Sequence, residues 1–305
     1  VTRTPLPAAA SLAALLCGLG TASYAQQAGS RDRLFVSANW LSNHLNDSDL
    51  VLLQVGPAES YQKAHIAGAR YIDLMAVSDP NSHKEGSLIL ELPTVRALTD
   101  SLSARGVTND SRIVVYWSDD WVTPTARVVF TLDWAGLGDH TAVLDGGLDA
   151  WNKAGKSLTA EAPPPARRGR LTLHPQRDMV VSAAWVEQHE TAKGYRVVDA
   201  RARAFYDGVR DDRGKQGHIP GAGSLPWVDL YEEHGELKPV AELRRQFAAA
   251  GVERGDTVVA YCHIGQYATA DLLAARSLGY PVKLYDGAFQ DWAQRNLPVE
   301  TPPRE

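Results

Sequence analysis

The chain has 305 residues, of which 44% are hydrophobic and 22% charged, with a formal charge of −5 and two cysteines. Such a composition belongs to a globular protein of about two domains, and it excludes collagen-like, disordered and disulfide-scaffold classes. The balance of 31 Lys and Arg against 36 Asp and Glu gives no nucleic-acid footprint, and two cysteines cannot build a cysteine-rich zinc site.

Residues 1–25 read as an export signal. Arg3 supplies the positive start, Ala8 to Gly20 is an apolar run of small residues and leucines, and Ser23-Tyr24-Ala25 fits the small-x-small cleavage pattern. The apolar run falls short of the roughly 20 residues a bilayer span needs, and no later stretch reaches that length. The expectation is therefore an exported, periplasmic or secreted protein without a membrane anchor after cleavage. A buried N-terminal helix is the alternative. Cleavage after Ala25 would leave 280 residues, remove Arg3 and Cys17, and move the charge to −6. Cys262 would then stand alone, which is unusual in an oxidising compartment. It is either an inert core residue or a thiol whose chemistry is needed.

From Leu34 onward one pattern is written twice. Val36-Ser-Ala-Asn-Trp40 returns as Val181-Ser-Ala-Ala-Trp185, an offset of 145, and Ile113-Val-Val-Tyr116 returns as Val258-Val-Ala-Tyr261. His65-Ile-Ala-Gly68 returns as His218-Ile-Pro-Gly221 at an offset of 153, so the loop before it is longer in the second copy. Asp145-Gly146 and Trp151 match Asp286-Gly287 and Trp292. A period this long means duplicated domains. We place an N-terminal domain at 31–155, a linker at 156–178 and a C-terminal domain at 179–305. Residues 161–170, with Pro163-Pro164-Pro165, read as an exposed, stiff segment of that linker.

Within the second copy, Arg196–Asp199, Thr257–Tyr261 and Val282–Leu284 read as buried strands. Leu237, Leu243, Phe247 and Ala250 fall on a helical face that stops at Gly251, and Gln266 to Leu278 reads as a helix ending at Gly279. Strands alternating with helices imply a parallel sheet with helices on both faces, an α/β fold for each copy. Chemistry in such sheets gathers at the carboxyl ends of strands, which is where Cys262 falls. The run Tyr261-Cys262-His-Ile-Gly265-Gln-Tyr-Ala268 passes from strand through a short loop into a helix. Its backbone N–H groups can form an anion-binding nest, and the same donors are expected to lower the thiol pKa.

These features together resemble the rhodanese family, and within it the two-domain sulfurtransferases. The resemblance rests on the tandem repeat, Asp199-Ala-Arg201, Gly217-His-Ile-Pro-Gly-Ala222, the Cys262 loop and Tyr285-Asp-Gly287 with Trp292, and it covers Leu34 to Glu300. It implies an α/β fold per domain, a catalytic cysteine in the C-terminal copy only, and transfer of a sulfane sulfur from a donor such as thiosulfate to cyanide or a thiol. The residues agree independently. In the first copy Trp117 stands opposite Cys262, followed by Asp119 and Asp120, with Gln54 and Gly56 where the second has Asp199 and Arg201. An indole is no nucleophile and carboxylates repel an anion, so the first copy is expected to be inactive and to close one wall of the cleft.

The expected reaction is a double displacement through a Cys262 persulfide. His263, Ile264, Gly265, Gln266 and Tyr267 are the candidate substrate contacts. Asp199 and Arg201 join them, or else pair structurally. His218 reads as a turn residue, Asp286 as fixing a turn and Trp292 as core. The loop departs from the family's patterns: it lacks the basic residues of thiosulfate-using relatives and the Gly-Ser-Gly of mercaptopyruvate-using ones. Phe205 stands where many relatives place an arginine, with Arg203 and Arg210 near enough to substitute. Thiosulfate is the expected donor, with 3-mercaptopyruvate as alternative, and a periplasmic sulfur carrier without turnover is the rival of another class. A phosphatase reading needs an arginine at position 268, which is Ala268. No metal or nucleotide motif is found, so no cofactor is expected. The partners expected are small-molecule donor and acceptor, to a monomer.

Overall fold

The computed structural model describes residues 30–166 and 170–302. The expected export signal, with Cys17, lies outside the described residues, as do three positions of the linker, 167–169.

Each copy forms one five-stranded, wholly parallel sheet. In the first, β1 (Phe35–Val36), β2 (Leu50–Val55), β3 (Arg70–Tyr71), β4 (Arg112–Trp117) and β5 (Thr141–Leu144) lie in the order β1-β5-β4-β2-β3. The second uses β6 (Val180–Val181), β7 (Tyr195–Asp199), β10 (Gly223–Ser224), β11 (Thr257–Tyr261) and β12 (Val282–Tyr285). Their order is β6-β12-β11-β7-β10, the same topology strand for strand. Helices interleave: α1 (Ala38–His44), α2 (Ala58–Lys63), α3 (Val95–Ala104), α4 (Val122–Leu132) and α5 (Gly147–Lys153) in the first copy. The second adds α6 (Ala183–His189), α7 (Arg203–Tyr206), α8 (Val240–Ala249), α9 (Gln266–Ser277) and α10 (Ala288–Gln294). The central strands β4 and β11 are β-branched and almost wholly buried, as strands covered on both faces must be.

The two copies are not beads on a string. Helices α4 and α9 pack against each other across the boundary. Every α4 residue but Pro124 is buried, and α9 is buried over most of its length. The alanines of α9 are small enough for its backbone to come close to its neighbours, which suits a helix buried over most of its length. One apolar cluster runs through both halves, joining Val115 and Phe130 to Val198 and Leu273.

The expected elements are found with small shifts. Strand β7 starts one residue early, β12 runs one residue further, and α9 ends just before Gly279. Leu237 is a correction. It is buried but precedes α8, forming a β-bridge with Tyr231, because the helix starts only after Pro239. The histidines of the repeat are structural twins. His65 and His218 each exchange backbone hydrogen bonds with a distant residue, Thr159 and Glu300, in an isolated antiparallel bridge, and each ring stacks on a tyrosine.

The longer loop of the second copy holds a feature the first lacks. Strands β8 (Asp211–Asp212) and β9 (Lys215–Gln216) form a small antiparallel hairpin. Its turn residues Arg213 and Gly214 have φ of +57° and +81°, both in the left-handed region that two-residue hairpin turns use.

Candidate active site

Strand β11 delivers Cys262 to the carboxyl edge of its sheet, next to β7, with Tyr261 in register with Asp199. The cysteine is fully buried at the floor of a cavity of about 360 Å³, lined also by Phe205, Asp212, Arg213, His263, Ile264, Gln266 and Tyr267. Gly265 caps α9 with φ +81°. A side chain there would bring its Cβ within 2.8 Å of the Asp286 carbonyl, so the tight turn needs glycine on two counts. This turn directs the backbone N–H groups of Ala268, Ile264, Tyr267 and Gly265 onto the Cys262 sulfur. The N-terminal turn of α10 holds the loop from outside: the Phe289 and Gln290 amides donate to the Cys262 and His263 carbonyls at 2.9 and 3.1 Å.

One expectation is overturned here. The loop donors do favour the thiolate, yet burial outweighs them and pushes the Cys262 thiol up from its ordinary value. A thiol stripped of water at a cavity floor resists ionising. The amides are then receivers for an anion that arrives or forms there.

Behind the loop runs a buried polar chain. The Tyr261 hydroxyl donates to Asp199 Oδ2 at 2.7 Å, and Arg201 binds Asp199 through Nε and Nη2, the latter also at 2.7 Å. The Arg201 guanidinium lies 3.8 Å over the Phe289 ring and gives its remaining donors to the Gly217 carbonyl and to Asp212 Oδ2. Asp212 accepts in turn from His263 Nδ1 at 2.6 Å. Burial alone would raise the Asp212 carboxyl, but the His263 hydrogen bond and the Arg201 charge outweigh it and hold it below the usual range. Asp199 and Arg201, expected as substrate contacts, are both fully buried and do not line the cavity. They orient groups that do.

The remaining loop candidates divide. His263, Ile264, Gln266 and Tyr267 line the cavity, whereas Gly265 backs onto Asp286. Phe205 takes the place of the family's arginine as a wall, edge-on to His263 at 4.7 Å. Neither Arg203, paired with Asp207, nor Arg210, over the face of Phe205, lines the cavity. The cation on the wall is Arg213, from the hairpin. Sequence reasoning missed Asp212 and Arg213; the eight-residue difference between the two repeat offsets was the signal that could have found them.

The first copy does not wall the cleft as expected, since every lining residue comes from the second. It braces the loop instead. Arg127 of α4, fully buried, binds Asp286 Oδ1 at 2.6 Å, the Gly265 carbonyl at 3.3 Å, and the Leu90 carbonyl. Thr123 accepts from Gln266 Nε2 at 2.9 Å. The strap at 87–92 completes the joint: the Ile89 and Leu92 amides donate to Gln290 and Asp286. Asp286 thus does more than fix a turn, while Trp292 is core as expected, its indole N–H on the Pro298 carbonyl.

At the matching place in the first copy, Trp117 fills the cysteine's position, its ring against Gly147. The next loop holds Asp119 and Asp120 with φ of +52° and +58°. Tyr116 still donates to the residue below it, now Gln54, and Gly56 leaves room for the Ser118 hydroxyl. The frame is kept and the cysteine replaced. Among the described residues no group of three or more His, Cys, Asp or Glu is arranged to hold a metal ion, and no helix is long and apolar enough to cross a membrane.

Comparison with known proteins agrees with this geometry. The family model for the rhodanese-like domain matches residues 37–154 and 182–295. The chain is 30% identical to a 3-mercaptopyruvate sulfurtransferase of Escherichia coli, over 87% of this chain and 97% of the relative. It is 29% identical to a thiosulfate sulfurtransferase of Gallus gallus, over 87% and 95%. The crystal structure of the 3-mercaptopyruvate sulfotransferase SseA from Escherichia coli superposes with a TM-score of 0.74 at 30% identity, covering 83% of this chain and 98% of that one. The structure of YnjE, at 22% identity and TM-score 0.79 over 90% of this chain and 69% of that one, shares the fold.

Proposed function

The chain belongs to the rhodanese-like domain family in two copies and is a sulfurtransferase, and from that premise we propose that it takes sulfur from thiosulfate and carries it on Cys262 as a persulfide. The observation that carries this reading is a buried thiol ringed by four backbone N–H groups, with the Arg213 cation on the wall above it. That combination suits a small dianion.

In the first step the Cys262 thiol loses its proton to solvent, and the ionised sulfur attacks the outer sulfur of thiosulfate. The sulfur–sulfur bond of the donor breaks and its electron pair leaves with sulfite. The amides of Ile264, Gly265, Tyr267 and Ala268 then face the terminal sulfur and hold its negative charge at the cavity floor. In the second step a thiophilic acceptor, cyanide or a thiol, takes that sulfur and returns Cys262 to its starting state. The first copy contributes no reacting group. It fixes the loop through Arg127 and Thr123.

Intact-protein mass after incubation with thiosulfate tests the reading. The mature protein should gain one sulfur atom and Cys262→Ser none, with turnover to cyanide abolished in the variant. A persulfide absent from the native protein, or undiminished turnover in Cys262→Ser, overturns it. The similarity to a 3-mercaptopyruvate sulfurtransferase supports a second reading in which that compound is the donor. Rates with the two donors side by side separate them. Formation of the persulfide without turnover would identify a carrier.

A further inference from the structure

We propose that His263 is the proton acceptor for an incoming thiol in the second half-reaction, and that Asp212, carried in on the β8–β9 hairpin, is its positioning residue. This rests on the sulfurtransferase reading and names the acceptor class of the same site.

The geometry is that of an oriented base. His263 Nδ1 lies 2.6 Å from Asp212 Oδ2. An ionised carboxylate accepts only, so Nδ1 carries the hydrogen and Nε2 the lone pair in the neutral ring. The ring is held on its flanks by Phe205 at 4.7 Å and Tyr267 at 6.0 Å, both edge-on. It borders the cavity whose floor is Cys262. The charged groups around it are Asp212 and Arg213 from the hairpin, Arg201 through Asp212 at 3.1 Å, and Arg210 over the ring of Phe205. Asp212 is anchored through Arg201 and Asp199 to Tyr261, the residue before the nucleophile. The base and the sulfur are therefore registered to one strand. The first copy, which has no cysteine, has no hairpin and Ser118 in place of the histidine.

The chemistry explains why such a group belongs here. Thiosulfate arrives without a proton to lose, whereas an ordinary thiol is mostly protonated at neutral pH. As the thiol R–SH enters, its proton passes to Nε2 and the freed sulfur attacks the outer sulfur of the Cys262 persulfide. The old sulfur–sulfur bond breaks and its electron pair goes to Cys262 Sγ. The product leaves as R–S–S⁻, and the imidazolium returns its proton to water. A carboxylate-oriented histidine in this role contributes about 10²-fold or more.

The test charges the native protein, His263→Asn and Asp212→Asn with thiosulfate, removes the donor, and mixes each charged form with thiols ranging from acidic, fluorinated ones to alkyl ones. Rates refer to the charged fraction only. For the least acidic thiols His263→Asn should be slower by about 10²-fold. The deficit should shrink to a few-fold for thiols already ionised at the assay pH. Asp212→Asn should show the same trend with smaller losses. In His263→Asn the rate should follow the ionised fraction of the thiol, falling about tenfold per pH unit below the thiol's own pKa, more steeply than in the native protein. A deficit independent of thiol acidity overturns the proposal. So does a His263→Asn protein that cannot be charged, because that would place the residue in the first half-reaction. Charging of the native protein is read separately by mass, so failure of the persulfide reading is distinguishable from failure of this one.

Discussion

Replacing Arg127 by methionine should test whether the first copy supports the Cys262 loop of the second. The side chain is fully buried, 2.6 Å from a carboxylate that is itself 6% exposed. Removing one member of such a pair leaves an uncompensated buried charge, at a cost of about 3–5 kcal/mol. Asp286 keeps the Leu92 amide at 2.9 Å, which argues for the lower end, about 3 kcal/mol. At roughly 2 °C per kcal/mol for a chain of this size, the midpoint of thermal unfolding should fall by about 6 °C. The Gly265 carbonyl and the Leu90 carbonyl lose a donor as well, so turnover should drop even at temperatures where the variant is folded. Adding Asp286→Asn removes the stranded charge. The double variant should then be more stable than the sum of the single losses by about 1–3 kcal/mol. Calorimetry or chemical denaturation of the four proteins completes the cycle. A midpoint within about 1 °C of the native value, or strict additivity, would refute the argument that this contact is a buried, coupled joint.

Three further outcomes are expected. Gly265→Ala should reduce turnover severely while the sheet stays folded, because the new Cβ meets the Asp286 carbonyl at 2.8 Å and the loop amides must turn away from the sulfur; native-like activity would show that the turn tolerates a side chain. Alkylation of Cys262 in the resting protein should accelerate with pH along a curve centred above the ordinary thiol value, since burial outweighs the loop donors; a midpoint below that value would show the reverse. Glu91, in the strap at 87–92, has its carboxyl pushed up to about 8 by burial and by the Asp286 carboxylate. The folded chain holds that proton more tightly than the unfolded chain, so this group favours folding most at pH below about 4. The advantage falls as pH rises and is gone above about 8. Glu91→Gln should therefore leave the melting temperature unchanged at pH 4 and raise it increasingly towards pH 8, and a difference that does not grow with pH would be the contrary result.

The fold was legible because repetition doubled every signal. A strand such as Thr257–Tyr261 is short, but its counterpart Arg112–Trp117 carries the same apolar run before a loop and a helix, and both lie at the centre of identical sheets. Cys262 was legible for the opposite reason, as the position where the two copies stop agreeing. What the sequence could not yield was long-range contact. Arg127 reads as one charged residue in a largely apolar helix, and only packing of α4 on α9 shows that it reaches Gly265. Asp199 and Arg201 were found by spacing, yet spacing cannot say whether a buried pair faces the cavity or stands behind it. The Asp212 carboxylate lay in a run of charged residues, 210–213, that reads as solvent-facing until the chain folds back on Arg201.

The β8–β9 hairpin has a thermal consequence. Two paired strands of two polar residues each bury almost no apolar surface, and an isolated ribbon of this kind has little stability of its own. Its position depends on side-chain tethers, from Arg201 and His263 to Asp212 and from Lys215 to the Leu297 carbonyl at 2.8 Å. Its amides should therefore exchange with solvent hydrogen long before those of β11, through local opening far short of unfolding. While the ribbon is open, the cavity loses Arg213 and its histidine loses a partner, yet Cys262 stays in place at the end of the central strand. On warming, such a protein would stop turning over while it still gave the calorimetric signature of an intact fold.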